Sequence, residues 1–580
     1  MIFIFLGNIR ATFAVFLSIP LSALATFIGL SFGDNSINSM VLGGLALAFS
    51  RLIDNSVVVL ENIFRHLELG ETPAAAAEKG GQEVALPVLA ATISTAVVFF
   101  PVTFLYGVSR FLFTALGLSV VLSLFASYIV ALTIVPLFCA KFLKKHHVKK
   151  RENTQTAHSS PPLGEIAHPP KTFLERFHNK FNELFTLFLN QFDHTLTFAL
   201  KRPIITTASI IVIFALSLTL IPKVGLAYFP RTDPGQFVIN VKSATGTRLE
   251  ITEESIKKVE DLVRRIVPPN ELRLIVSNIG ATPDFSAIYT SNSASHTAFV
   301  QVSLRDEHSV GSYEYMARVR SAIRAELPEL SAYFQSGGLV DAVLNLGMPA
   351  PIDVQVSSSN LETAYKIAQE IAQKARKISG VSDVLIPQDI DAPALKLTID
   401  RFNASKLGLA EREVVSNIIT ALVSNQMIAP SFWVDPKTGN DYLLTIQYPE
   451  ESIKTANDLL SIPLRANAAT ESVRLDAMTS ITPTLSPTEI DHYQLRRVID
   501  VYVAPNGEEL GKVAKEIEKI VSEVKADNVR IAIRGSVQAM HSSFKSFSLG
   551  LILSILLVYL ILVAQFKSFI DPFVILLAVP

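Results

Sequence analysis

The chain has 580 residues, 18% of them Asp, Glu, Lys or Arg, and a mean hydropathy of +0.38. That balance is too apolar for an ordinary soluble protein and too charged for a wholly intramembrane one, so both kinds of region must be present. A formal net charge of -1 excludes a whole-chain field that would draw nucleic acid, and a single cysteine, Cys139, excludes an internal disulfide and gives no redox-compartment signal.

Met1 to Leu6 is apolar from its first residue and lacks the basic segment and cleavage site of a secretory signal, so it reads as the tail of a helix. Crossing a hydrocarbon core takes about 20 apolar residues in helical form, because each backbone polar group must be satisfied inside the segment. Six stretches meet that test, at about 11–30, 38–60, 86–106, 111–138, 203–222 and 547–566, and five of them carry no Asp, Glu, Lys or Arg. A seventh runs only from Pro572 to Pro580. Lys141, Lys144, Lys145, Lys149, Lys150 and Arg151 follow the fourth stretch and place that side in the cytoplasm. Alternation then puts the 61–85 loop inside and the 31–37 loop, the 107–110 turn and the long 223–546 segment outside.

Residues 152–170, with Pro161, Pro162, Pro169 and Pro170, read as a linker. Phe173, Phe177, Phe181, Phe185, Phe188 and Phe192 then recur at helical spacing. That stripe suits either the cytoplasmic membrane surface or packing on neighbouring spans. The 223–546 segment reads as α+β. Alternation predicts strands at 237–241, 298–304, 352–356, 395–399, 442–447 and 498–503, with helices at about 249–266, 313–326, 361–378 and 508–525. Strand-helix-strand units interrupted near 394–492 suggest split βαβ sandwiches of ferredoxin-like type.

Ionisable groups inside a span are costly and functional by default. Arg51 and Asp54 are the ones that qualify, and their spacing of three lets them share a helix face. Both a titrating site and a neutralised structural pair fit. Glu61 and Arg65 read as a surface pair, and His146 and His147 as solvated neighbours of the lysine cluster. No His, Cys, Asp or Glu set has convincing metal spacing, and neither a Walker-type loop nor a nucleophile arrangement is present, so no metal, cofactor or enzymatic reaction is expected. Between Ile279 and Phe299 a Ser/Asn-rich stretch carries Phe285, Ile288, Tyr289 and Phe299, which either line an adaptable apolar pocket or pack the loop itself.

The two ends of the chain resemble each other at an offset of 560, where Leu6, Ile9, Phe13 and Ile19-Pro20 match Phe566, Phe569, Phe573 and Val579-Pro580. Phe5-Leu6-Gly7-Asn8-Ile9-Arg10-Ala11-Thr12 followed by Ile19-Pro20 resembles the join between the second and third helices of resistance-nodulation-division (RND) exporters. Arg51-Leu52-Ile53-Asp54-Asn55-Ser56, continuing to Glu61-Asn62, resembles that family's fourth helix. Tyr228-Phe229-Pro230-Arg231-Thr232-Asp233-Pro234-Gly235 is similar to the opening of its second large periplasmic loop, and Ile399-Asp400-Arg401-Phe402-Asn403 to a docking-domain motif in that loop.

The resemblance, to the hydrophobe/amphiphile (AcrB-like multidrug) type, covers essentially all 580 residues, from the end of the family's second helix to the start of its ninth. It implies an α-helical membrane bundle of six full transmembrane helices with partial helices at both ends, and a periplasmic α+β region of ferredoxin-like subdomains. Residues 1–140 would hold the first helices, 141–202 a cytoplasmic linker with an amphipathic helix, and 203–222 a further transmembrane helix. Residues 223–345 would form one porter subdomain, 346–393 with 493–540 a second, 394–492 an inserted docking domain, and 541–580 a transmembrane helix and the start of the next.

The resemblance also implies proton-driven antiport of drugs or other small amphiphiles from the inner membrane of a Gram-negative cell, by a homotrimer working with a periplasmic adaptor and an outer-membrane channel. It further implies that the chain lacks half a transporter and is inactive alone. The family carries two adjacent aspartates at the positions of Asp54 and Asn55, where proton binding drives the cycle with a lysine of the tenth helix. Here Asn55 cannot titrate, which leaves Asp54, with Arg51 beside it, as the proton-site candidate. Heavy-metal RND exporters are an alternative, although Met316, Met348, Met427, Met478 and Met540 are scattered. A SecD/SecF-like translocation accessory is another, but such proteins lack a docking insertion.

Overall fold

The computed structural model describes residues 9–33, 36–105, 107–143, 173–220, 227–281, 292–465, 471–507, 509–524 and 528–577. They divide into two compact units, Met1–Val224 with Ala539–Pro580, and Gly225–Gln538.

The first unit is helical. α1 (Ile9–Phe32), α2 (Ser39–Glu68), α3 (Pro73–Val97), α4 (Gly107–Phe142), α5 (Phe173–Lys201) and α6 (Pro203–Leu218) come first in the chain, and the helices Ser536–Phe566 and Ile570–Leu576 last. Among the described residues, five helices are long and apolar enough to cross a membrane: Thr12–Phe32, Ser39–Glu68, Pro73–Phe104, Gly107–Phe142 and Ser536–Phe566. The expected stretch at 203–222 differs. Its helix α6 has 16 residues and passes that test only together with Phe185–Lys201, from which it is bent by 100°. The break has a local cause: Pro203 cannot donate a backbone bond, and it pushes Arg202 out of the helical region, to φ -129 and ψ 61.

The expected 61–85 loop is also mostly helix. α2 runs on to Glu68, and α3 starts at Pro73, whose missing N–H costs nothing at the first helical position, with Thr72 Oγ1 accepting from Ala75 N–H at 3.4 Å. α2 and α4 approach closely at small residues. A Cβ on Gly44 would lie 1.9 Å from Ser119 Oγ and 2.5 Å from the Leu116 carbonyl oxygen. Ser119, Ser123 and Ser127 repeat every four residues on α4 and are buried. Their hydroxyls stay satisfied in an apolar surround: Ser119 and Ser123 donate to Leu116 O and Val120 O at 2.8 and 2.7 Å, and Ser127 reaches Leu52 O of α2 at 2.9 Å.

The second unit is α+β. β1 (Gln236–Lys242), α7 (Leu249–Ile266), β2 (Leu272–Ile279), β3 (Thr297–Leu304), α8 (Ser312–Glu326) and β4 (Ser331–Ser336) make an antiparallel sheet of order β2-β3-β1-β4. Alternation decides its faces. Phe237, Ile239 and Val241 join Ile256, Val259 and Val263 of α7 and Tyr315, Val319 and Ile323 of α8 in one core, which leaves Asn240 and Lys242 on the face without helices.

Then follow β5 (Ile352–Ser358), α9 (Leu361–Ala375) and β6 (Val381–Leu385). An inserted region carries β7 (Ala392–Ile399), β8 (Ser431–Val434), β9 (Asp441–Leu444), β10 (Pro463–Leu464), β11 (Val473–Arg474) and β12 (Thr479–Ser486). It has its own core, which includes Ala404, Val414, Leu459, Leu464, Leu475 and Met478. The chain returns through β13 (Asp491–Tyr493), β14 (Arg496–Pro505), α10 (Leu510–Glu523) and β15 (Val529–Arg534) to complete a sheet of order β13-β14-β5-β15, with β6 also paired to β14. Arg320 of α8 ties the two sheets together, its Nε lying 2.9 Å from both oxygens of Asp383 on β6.

Candidate functional site

Asp54 and Arg51 lie on one face of α2. Arg51 Nη1 is 3.9 Å from Asp54 Oδ2, and their side chains are 63% and 62% exposed within the chain. A pair this long and open is a weak tie. Asn55 points the other way and donates to Ser127 Oγ at 3.4 Å, and that serine donates to Leu52 O one turn back. The next residue, Ser56, is buried, and its hydroxyl has no hydrogen-bond partner among the described residues. The α2–α4 seam thus ties Leu52 and Asn55 to Ser127, while the Asp54 carboxylate stays unclamped.

Arg65 pairs with Glu83 of α3 at 2.8 Å and not with Glu61, because α3 folds back along α2. His66 sits buried in the same cluster, with Nδ1 3.4 Å from Glu71 Oε2 and Nε2 3.2 Å from Glu83 Oε2. Lys144, Lys145, His146, His147, Lys149, Lys150 and Arg151 lie outside the described residues, as do the side chains of Phe173, Phe177 and Phe181. Phe188 and Phe192 of the same stripe are exposed.

Of the expected substrate-contact residues, Phe285, Ile288 and Tyr289 lie outside the described residues. Phe299 is half-buried on β3, in register with Asn240 of β1 and Asn278 of β2, on the helix-free face. Its loop is anchored at both ends: Asn292 Nδ2 donates to Asn278 O at 2.9 Å and to Gly280 O at 3.2 Å. Gly280 turns there at φ +78, a conformation that favours glycine.

Sequence reasoning missed a second site. A cavity of about 390 Å³ is lined by Asn240, Lys242 and Gln335 from the first sheet and by Asp353, Asp500 and Tyr502 from the second. Strand alternation puts these acids there: Ile352, Val354 and Val356, like Val501 and Val503, are buried, while Asp353, Gln355 and Asp500 occupy the intervening positions. Gln355 Nε2 donates to Asp353 Oδ2 and to Asp500 Oδ1, both at 3.0 Å. Gln388 Nε2 joins Asp500 Oδ2 at 2.7 Å to Asp491 Oδ2 at 2.8 Å. Asp353 Oδ1 and Gln355 Oε1 are buried without a hydrogen-bond partner among the described residues. An acceptor left so costs about 1–3 kcal/mol.

Burial, and then the charge of Asp500, push the Asp353 carboxyl up to about 8. Burial also raises Asp500 above the usual carboxylate range, and burial with Asp491 and Asp500 nearby lifts Glu489 to about 7. Asp389 behaves oppositely. Burial opposes its charge, but the His296 hydrogen bond at 2.8 Å and the Lys242 ammonium at 2.8 Å outweigh that and hold it below its ordinary value.

A family model described as the AcrB/AcrD/AcrF family matches residues 1–580. Solved structures of a heavy metal efflux pump match the fold. Crystal form I has a TM-score of 0.75 at 20% identity, covering 100% of this chain and 53% of that chain. Crystal form II has a TM-score of 0.71 at 20% identity, covering 99% and 52%. This chain therefore spans about half the length of those structures.

Proposed function

This chain belongs to the AcrB/AcrD/AcrF family of RND transporters, and we propose that it forms part of a proton-driven exporter of drugs or other small amphiphiles, about twice its length. The observation that carries the reading is the Arg51–Asp54 pair, set in a 30-residue helix apolar enough to cross a membrane, with the carboxylate open at 62% exposure. In this reading Asp54 takes up and releases the proton with Arg51 beside it on the same helix face, and Asn55 anchors the turn through Ser127.

The bent pair α5–α6 counts as the sixth crossing. The lysine-rich segment after α4 faces the cytoplasm, and the second unit lies in the periplasm of an inner-membrane protein. Its two sheets correspond to ferredoxin-like porter subdomains, at 223–345 and at 346–393 with 493–540, and the 394–492 insertion to a docking domain. Partners in this reading are two further copies, a periplasmic adaptor and an outer-membrane channel.

Phe285, Ile288, Tyr289 and Phe299 contact substrate. Efflux of a panel of fluorescent amphiphiles from cells tests this. Phe285→Ala with Tyr289→Ala should alter the ratios between dyes several-fold at unchanged membrane level, because contact aromatics contribute area without holding the fold. Equal loss of every dye together with loss of protein would make them core residues. Heavy-metal export has less support from the side chains. Met316 and Met348 line one cavity, but Met478 and Met540 are buried elsewhere, and among the described residues no group of three or more His, Cys, Asp or Glu could hold a metal ion.

A further inference from the structure

The turn between α2 and α3 buries a histidine that the export reading leaves without a role. Gly70, at φ +91, closes α2 with a Schellman turn: its N–H donates to Leu67 O at 3.0 Å, and the Glu71 N–H donates to His66 O at 3.3 Å. That turn brings the Glu71 carboxylate back to one nitrogen of the His66 ring. At the other nitrogen stands Glu83 of α3, held there because Asn62 Nδ2 donates to Gly80 O at 2.9 Å and to Glu83 Oε2 at 3.1 Å. The His66 side chain is 8% exposed, with Nδ1 3.4 Å from Glu71 Oε2 and Nε2 3.2 Å from Glu83 Oε2.

That arrangement suits one form of the ring. A neutral imidazole has a proton on one nitrogen and a lone pair on the other, so one of its two contacts would set a lone pair against a carboxylate, whereas the imidazolium donates from both. The carboxylates also have permanent partners: Lys79 Nζ lies 2.8 Å from Glu71 Oε1, and Arg65 Nη2 lies 2.8 Å from Glu83 Oε2. The hydrogen bond from Lys79, aided by His66, holds the Glu71 carboxyl below its ordinary value. Glu61 and Glu68 of α2, Glu78 of α3 and Lys141 in the last turn of α4 are the other ionisable groups at this end of the packed helices, and the span Thr12–Phe32 of α1 carries none. A metal ion fits less well, because Lys79 and Arg65 already hold the two carboxylates and no group of three or more metal-binding side chains converges among the described residues.

We propose that His66 is a pH-sensitive clamp: doubly protonated, it cross-links Glu71 and Glu83 and locks the α2–α3 turn, and loss of one ring proton to water releases it. The clamped form holds the extra proton, so its stabilisation is present on the acid side and is lost as pH rises. An imidazole is the side chain whose charge ordinarily changes between about pH 5 and 8. Lys79 and Arg65 stay on the two carboxylates in both forms, so release loosens the turn without unfolding the helices. The effect bears on the proposed proton site, because the same helix carries Asp54 about 18 Å further along. Placing the clamp on the cytoplasmic face rests on the export reading, whereas its response to pH is measured without transport.

Hydrogen–deuterium exchange of the full chain in nanodiscs, corrected for the intrinsic effect of pH on amide exchange, reads the clamp. Protection of amides 66–77 should fall about tenfold between about pH 6 and 8, the scale of one charge-assisted contact, while that of amides 41–52 stays level. His66→Gln, which cannot take up a proton, should show the same low protection at both ends of that range. Nitrogen NMR of the histidine-labelled chain, with the His66 signal assigned by its loss in His66→Gln, should find both ring nitrogens protonated in the protected form and one in the loosened form. Protection that does not change with pH in the unaltered chain would overturn the proposal, and that result needs no variant to fold. An equal pH response in His66→Gln would overturn it as well. A pH response retained in an assembled transporter that moves no dye would support the clamp and tell against the export reading.

Discussion

Asp383 is the buried carboxylate on which the two sheets of the second unit meet, so Arg320→Ala is the perturbation with the most calculable outcome. The Asp383 side chain is 1% exposed and holds Arg320 Nε at 2.9 Å on both oxygens, Arg324 Nη2 at 3.2 Å and the Phe334 N–H at 3.3 Å. Removing one partner of a buried pair costs about 3–5 kcal/mol, because the other charge is left uncompensated. Arg324 stays on the same carboxylate, which argues for the lower end, about 3 kcal/mol. The Arg320 guanidinium also lies 4.6 Å over the Phe334 ring, a contact worth about 0.5–1 kcal/mol. At about 1.4 kcal/mol per factor of ten, amides of β4 and β6 should exchange with deuterium on the order of 10²-fold faster in Arg320→Ala. Exchange mass spectrometry reads this directly. Replacing both partners by leucine should recover most of the loss, since a packed apolar pair avoids the desolvation of two charges. An Arg320→Ala change below about threefold, or a double variant as labile as the single one, would mean that the Arg320–Asp383 pair does not hold the two sheets together.

Two further outcomes follow from close contacts outside the proposed sites. Gly44→Val should lower the unfolding temperature in detergent, because its Cβ would overlap Ser119 and Leu116, whereas Gly43→Val, with nothing within 4 Å, should leave it unchanged. Burial opposes the charge of Asp233, yet hydrogen bonds from Ser312, Gly235 and His308 hold it down to about 2. Its folded value lies below the ordinary 3.8, so its contribution is present above about pH 4 and is lost as pH falls toward 2; acid unfolding followed by circular dichroism should show a shallower limb in Asp233→Asn.

The apolar runs and the strand alternation were legible because burial imposes a period on the sequence. β1, β3, β5 and β14 stand where alternation puts them, and α7 and α8 begin within a residue of expectation. Helix ends were less legible. Polarity predicts a loop over 61–85, whereas the helices leave only a four-residue turn between Glu68 and Pro73, because paired charges such as Arg65–Glu83 keep polar stretches helical. The Arg202–Pro203 break was visible in principle from the proline, but apolarity masked it.

Asp353 and Asp500 were the instructive omission. Both interrupt valine- and isoleucine-rich strands at alternate positions, Ile352-Asp353-Val354 and Ile499-Asp500-Val501. That pattern ordinarily marks a solvated face. Only the packing of a second sheet over that face turns it into a buried acid pair, and such pairing across distant segments leaves no local signal.

In the proposed export cycle Asp54 carries the coupled proton, and simultaneous recording of dye flux and proton uptake in proteoliposomes of the assembled transporter reads that role. Asp54→Asn should abolish both fluxes while leaving insertion and assembly intact, because the Arg51 contact it removes is 3.9 Å long and open to one side. The double change Arg51→Leu with Asp54→Asn should stay inactive, since neutralising the arginine cannot restore a missing proton acceptor. If that double variant regains dye flux coupled to protons, Asp54 is a counter-ion for Arg51 and the proton site lies elsewhere.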